Sequence, residues 1–169
     1  MSNRNDTSDT NDTSSTTPTA PASSSRLTYV PNPRGVAPGT GYTNVVMGTG
    51  RLVAISGQIA NDENGDIVGE GDPAAQARQV FENLRRCLAH VGADFGDVIK
   101  LTYFVTDIAH LPAVRAARDA YVSADRLPAS SAVQVAALFR PELLLEVEAF
   151  AVLPEERAGG APAQGEGVR

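Results

Sequence analysis

The chain of 169 residues has one cysteine, Cys87, two histidines, His90 and His110, and no tryptophan. One cysteine excludes an internal disulfide and any multi-cysteine metal centre. Two isolated histidines leave little for a zinc site and no Ser-His-Asp arrangement to argue. Positive charge is scarce too. There are 14 Lys and Arg against 20 Asp and Glu, a net charge of −6. A nonspecific nucleic-acid binder is usually basic, so no nucleic-acid partner is expected. No apolar run approaches a membrane span, so no membrane partner is expected either. The polar start, Met1 to Ser25, lacks the apolar centre of a secretory signal. With so little cysteine, a reducing, cytoplasmic location is the expectation. Gly39-Thr40-Gly41 and Gly48-Thr49-Gly50 are not dinucleotide fingerprints, because neither continues to a third glycine opening a helix.

What is present suits one soluble domain. Hydrophobic residues make up 42% and charged residues 20%, enough apolar surface for a core at this length. Residues 1–25 are Ser, Thr, Asn, Asp and Pro, and cannot bury enough surface to offset the entropy of ordering. They are expected to be a disordered polar tail. Residues 154–169 are expected to be a flexible C-terminal tail. The folded domain is expected at 26–153.

Thr43–Met47 and Arg51–Ser56 read as strands of a hairpin across Gly48-Thr49-Gly50. Asn64-Gly65 is a second turn signal. Asp72 and Pro73 open a helix in which Val80, Leu84, Cys87, Leu88 and Val91 recur at helical spacing, until Gly92 stops it. Ile99, Leu101, Tyr103 and Val105 alternate with Lys100, Thr102 and Phe104 as in a strand. A second helix begins near Leu111, and strands follow at Ala132–Ala137 and Leu143–Val152. The order predicts an α+β fold: one mixed sheet with both helices on one face. Self-association is the expected cover for the other face.

Several segments together resemble the RidA/YjgF family of reactive-intermediate imine deaminases. They are Ser56-Gly57-Gln58-Ile59, Gln76-Ala77-Arg78-Gln79 with Glu82-Asn83-Leu84, Val98-Ile99-Lys100-Leu101-Thr102, Pro128-Ala129, Val133-Gln134-Val135-Ala136 and Glu146-Val147-Glu148-Ala149. The resemblance covers about Tyr42 to Val152. It implies a chorismate-mutase-like fold and a homotrimer with pockets at subunit interfaces. It also implies hydrolysis of enamines or imines to ketoacids and ammonia, with a small molecule as substrate and no cofactor.

The resemblance assigns roles residue by residue. Glu146 matches the carboxylate that orients the attacking water, and it shares a strand face with Glu148. The alternative is two solvated carboxylates on an outer strand. Tyr42 and Ser56, with Gly57 beside it, match pocket residues. Ala132 matches a position whose main-chain N–H holds the substrate carboxylate. Ser130 is the departure, because the family has an arginine there that grips that carboxylate. Serine has no charge and no bidentate fork. Arg115 falls on the second helix where the family has a pocket asparagine. It either supplies the missing cation or is a solvated helix residue like Arg118. Cys87 is expected in the core, and His110 in a solvated loop.

The chain is thus expected to use Glu146 and a water on an enamine, imine or related electrophile in a pathway-specific role. The alternatives are another acid/base reaction in the same pocket (dehydration, cyclisation or tautomerisation) and a non-catalytic trimer that binds small molecules or proteins.

Overall fold

The structure, a computed structural model, describes residues 27–158. The tail expected at 1–25 lies outside them, as does the C-terminal stretch past 158. Six strands and three helices follow in the order β1 (Leu27–Val30), β2 (Val45–Gly48), β3 (Arg51–Gln58), α1 (Pro73–His90), β4 (Val98–Val105), α2 (Leu111–Arg118), β5 (Ala129–Gln134), β6 (Leu145–Leu153) and α3 (Glu155–Ala158).

The main sheet has four strands in the order β3-β6-β4-β5. β6 runs antiparallel to β3 and to β4, while β4 and β5 are parallel, so the sheet is mixed as expected. The two central strands alternate over most of their length. Leu101, Tyr103 and Val105 of β4, and Leu145, Val147, Ala149 and Ala151 of β6, are buried under the helices. Lys100, Thr102 and Phe104, and Glu146, Glu148 and Phe150, occupy the opposite face. Phe150, Leu52 and Val133 lie exposed there.

α1 forms as its sequence dictates. The Asp72 carboxylate accepts from the N–H groups of Ala74 and Ala75 at 2.9 and 3.0 Å. Pro73 occupies the first turn, where no N–H is needed. Val80, Phe81, Leu84 and Leu88 are fully buried against the sheet, each such side chain being worth about 1.5–3 kcal/mol. Gly92 (φ 75°) ends the helix. Gln76, buried on the same face, bridges two backbone groups ahead of β6. Its amide donates to the Glu142 carbonyl at 2.8 Å, and its oxygen accepts from Leu144 N–H at 2.9 Å.

The expected hairpin is not formed. β2 pairs with β1 in a separate two-stranded sheet, whereas β3 pairs with β6. Gly48-Thr49-Gly50 is therefore a crossing between sheets. Gly50 lies directly on the Leu153 carbonyl of β6, so no side chain fits there. The Asn64-Gly65 turn does form: Gly65 has φ 87° and the Asp62 carboxylate accepts from the N–H groups of Asn64 and Asp66. The C-terminal segment departs from the expected tail at its start. Pro154 leads into α3, whose Arg157 guanidinium is paired with the buried carboxylate of Asp97.

Candidate functional site

The candidate residues fall into two groups at opposite edges of the main sheet. The first group is built by the β3–β6 pairing. Between Ile55 and Gln58 the register slips, so Ser56 and Gly57 bulge from the ladder. The bulge brings Gly57 against the carboxylate of Glu146, which occupies the space that any side chain at position 57 would need. Glu146 is half-buried and has no hydrogen-bond or ion-pair partner among the described residues. Glu148 shares its face, as expected. Ser56 is exposed and lines an open groove of about 560 Å³ between β3 and α1, with Ile55, Cys87 and His90. Cys87 is therefore not a core residue. It sits at the rim of α1's buried stripe, half-exposed to this groove.

The second group is built around the free edge of β5. Val135 N–H bonds Val105 O at 2.9 Å, and Val105 is in register with Gln134. Alternate residues of a parallel ladder point their backbone groups the same way. Ser131 and Val133 therefore bond β4, while Ser130, Ala132 and Gln134 turn their N–H groups off the sheet. The main-chain donor expected at Ala132 thus faces outward. Register with Leu101 and Tyr103 puts the Ser130 and Ala132 side chains on the helix-bearing face.

Residues 39–43 run beside this edge. Thr43 N–H bonds the Pro128 carbonyl at 3.2 Å. Tyr42 folds its ring over Gly39, where a Cβ would come within 2.8 Å of the ring. The turn is pinned from α2 by Arg118, which donates to the Gly41 carbonyl at 2.7 Å and to Asp119 at 2.7 and 2.9 Å. Arg118 is 5% exposed, so the expectation that it is solvated is wrong. Its charge is tolerated in the interior because its donors are satisfied.

Arg115, one turn earlier on α2, is half-buried and differs in kind. Its guanidinium carbon lies 3.8 Å from where a Gly41 Cβ would be. It donates no hydrogen bond and makes no ion pair among the described residues. Below it, Tyr103 is 2% exposed, and its hydroxyl has no hydrogen-bond partner among the described residues. Burial raises the phenol above its usual range, against the opposing pull of the Arg118 and, more weakly, Arg115 guanidinium groups. Sequence reasoning missed Tyr103 and Arg118 as parts of this group. The inward alternation of β4 was the available signal for Tyr103. None marked Arg118, since a helix arginine ordinarily reads as exposed.

The two groups do not meet within one chain. β6 and β4 separate β3 from β5, roughly 14 Å at the usual strand spacing. Glu146 faces one side of the sheet and Ser130 the other. His110 is not the solvated loop residue expected. It precedes α2 half-buried, with a buried Nδ1 that has no partner among the described residues. No group of three or more His, Cys, Asp and Glu residues is placed to hold a metal among the described residues. None of their helices is long and apolar enough to cross a membrane.

The fold and these two groups define a class: a small α+β protein with a poised carboxylate on β6 beside one sheet edge and, near the other, an α2 guanidinium that has no partner among the described residues. A family model described as Endoribonuclease L-PSP matches residues 34–153. The 2-iminobutanoate/2-iminopropanoate deaminase of Salmonella typhimurium is 38% identical over 105 residues, 61% of this chain and 80% of that protein. The 3-aminoacrylate deaminase RutC of Acinetobacter baylyi is 37% identical over 100 residues, 59% of this chain and 78% of that protein. Among solved structures, YyfB of the conserved Rid protein family from Yersinia pestis superposes with TM-score 0.68 at 37% identity, covering 76% of this chain and 99% of that one. The chain belongs to the RidA/YjgF family.

Proposed function

We propose that the chain is an enamine or imine hydrolase that acts through a water held by Glu146. The carrying observation is the Glu146 carboxylate, half-buried, without a partner among the described residues and pressed onto Gly57. Such a carboxylate has its acceptor capacity free for a water. An enamine first takes a proton on carbon to become the iminium ion, and an imine reaches the same ion by protonation on nitrogen. Water then adds to the C=N carbon while Glu146 accepts one of its protons, giving a neutral amino alcohol. Glu146 returns that proton to nitrogen, the C–N bond breaks as the hydroxyl gives up its proton to the departing ammonia, and a carbonyl compound and ammonium leave. Two deaminases of small enamines or imines among the relatives support this reaction class.

The working unit we propose is a homotrimer, with the β3 edge of one copy facing the β5 edge of the next. Separation of the two groups within one chain supports this, as do the exposed Leu52, Phe150 and Val133 on the sheet's uncovered face. We read the role as pathway-specific, because Ser130 takes the strand guanidinium away from the simplest substrates.

The test is Glu146→Gln against the parent on freshly generated 2-aminoacrylate, 2-iminobutanoate and 3-aminoacrylate. The parent should turn over at least one of them, and only weakly 2-aminoacrylate. The variant should lose about 10²–10⁴-fold. Equal turnover by parent and variant, or a parent inert on all three, overturns the hydrolase reading. A dehydrated, cyclised or tautomerised product formed by the parent in place of ammonia, and lost in Glu146→Gln, would favour the other acid/base reactions.

A further inference from the structure

We infer that Arg115 supplies the cation for the substrate's carboxylate, at an anion cradle on the β5 edge that it forms with the outward N–H groups of Ser130 and Ala132. This deepens the proposed function and rests on it for the identity of the substrate, an enamine or imine acid.

Four independent features converge on the cradle. Arg115 is half-buried and makes no hydrogen bond or ion pair among the described residues, whereas its neighbour Arg118 spends its donors on Gly41 and Asp119. None of its nitrogens is sealed from solvent, so the unspent guanidinium fork is open to an incoming carboxylate, which it can grip bidentately. Ladder alternation aims the N–H groups of Ser130 and Ala132 off the same edge. Tyr103, 2% exposed, lies on the same face in register with Ala132, its buried hydroxyl beside the Arg118 and Arg115 guanidinium groups. Ser130 leaves the space open, since its short side chain fills little of what a longer one would occupy.

Other cations fit less well. Lys100 donates to Ser131 Oγ at 2.6 Å on the opposite face. Arg85 and Arg86 are paired with Glu82 on the exposed side of α1. The Gly41 turn explains why α2 can deliver the charge: Gly41 has φ 79° and no side chain, so the guanidinium lies flat beside the backbone next to Tyr42. The family's cation reaches the site from the strand. Here it comes from the helix, which changes the distance between carboxylate and reacting carbon and so which enamine acids fit.

The test is equilibrium binding of pyruvate and 2-oxobutanoate to the full-length protein, with neutral pyruvamide as the uncharged comparison. The parent should prefer the acids to the amide. Arg115→Ala should weaken acid binding about ten- to hundredfold and leave amide binding alone, and Arg115→Lys should fall between. Arg85→Ala, a control for general field effects, should change acid binding less than about twofold. Three results overturn the inference: no preference of the parent for acid over amide, Arg115→Ala within twofold of the parent, or an equal loss in Arg85→Ala. Glu146→Gln separates this from the reaction, because it should abolish turnover while keeping the acid affinity. A Glu146→Gln protein with full turnover and an Arg115→Ala protein with lost affinity would leave the cradle standing and the hydrolase reading refuted.

Discussion

Gly57→Ala is the most incisive single change. The backbone at position 57 does not need glycine, because its φ is outside the left-handed range. The three atoms nearest to the added methyl are all of Glu146, its Oε1, Cδ and Cγ lying within contact of it, Cγ at 2.8 Å. The carboxylate is the flexible end of a side chain, so the fold can survive by swinging Glu146 to another rotamer. That motion shifts the reacting oxygen by more than an ångström. A displacement of about 1 Å costs on the order of 10²-fold in rate. Complete loss of general-base assistance costs about 10²–10⁴-fold. Turnover of the best enamine acid should therefore fall at least about 10²-fold, with circular dichroism and oligomeric state unchanged and affinity for pyruvate kept. A folded Gly57→Ala protein with parental turnover would refute the reasoning, since it would show that Glu146 need not occupy the position where the structure holds it.

Other expectations follow from the same packing. Gln76→Ala removes both bonds to the segment before β6 and strands the Glu142 carbonyl and Leu144 N–H in the interior. Urea denaturation should show a loss of about 1–3 kcal/mol, and an unchanged midpoint would contradict the bridge. Tyr103→Phe deletes a buried hydroxyl that has no partner among the described residues, so stability should hold or rise slightly while acid binding weakens a fewfold. A clear loss of stability would show that the hydroxyl is bonded in the resting protein. The hydrogen bonds from Arg85, then from Arg86, bring Glu82 down to about 2 from 4.5. Its small stabilising contribution is then complete above the ordinary glutamate range and is lost as pH falls through about 2. Side-chain carbon NMR should place its midpoint there, and a midpoint near 4.5 would contradict the pairing.

Local signals carried the elements and failed on partners. α1 was legible because cap, proline, apolar stripe and stop all lie within one stretch of chain. β2 and β3 were legible as strands, but nothing local says that β3 pairs with β6, nearly a hundred residues away, and that β2 pairs with β1. The same limit governs the candidate site. Gly57 and Glu146 meet only through that distant pairing and its bulge. The resemblance named Glu146, Tyr42, Ser56 and Ala132 as one pocket, yet in one chain they stand at two edges. Arg118 looked like a surface residue because charge usually means exposure, and only tertiary contact with the Gly41 carbonyl reveals otherwise. Arg115 was ambiguous in sequence for the same reason. What separates it from Arg118 is which donors are spent, a property of the folded chain.

The central claim is a hydrolytic site completed by two copies, with Glu146 from one and Arg115 from the next. Mixing subunits tests it most directly. Glu146→Gln and Arg115→Ala proteins, each of low activity alone at substrate well below saturation, would be unfolded together and refolded as mixed trimers. Random assembly places an intact Glu146 edge against an intact Arg115 edge at about one site in four. The account predicts recovery of about a quarter of parental turnover. A mixture no more active than the sum of the two separately refolded variants would contradict it.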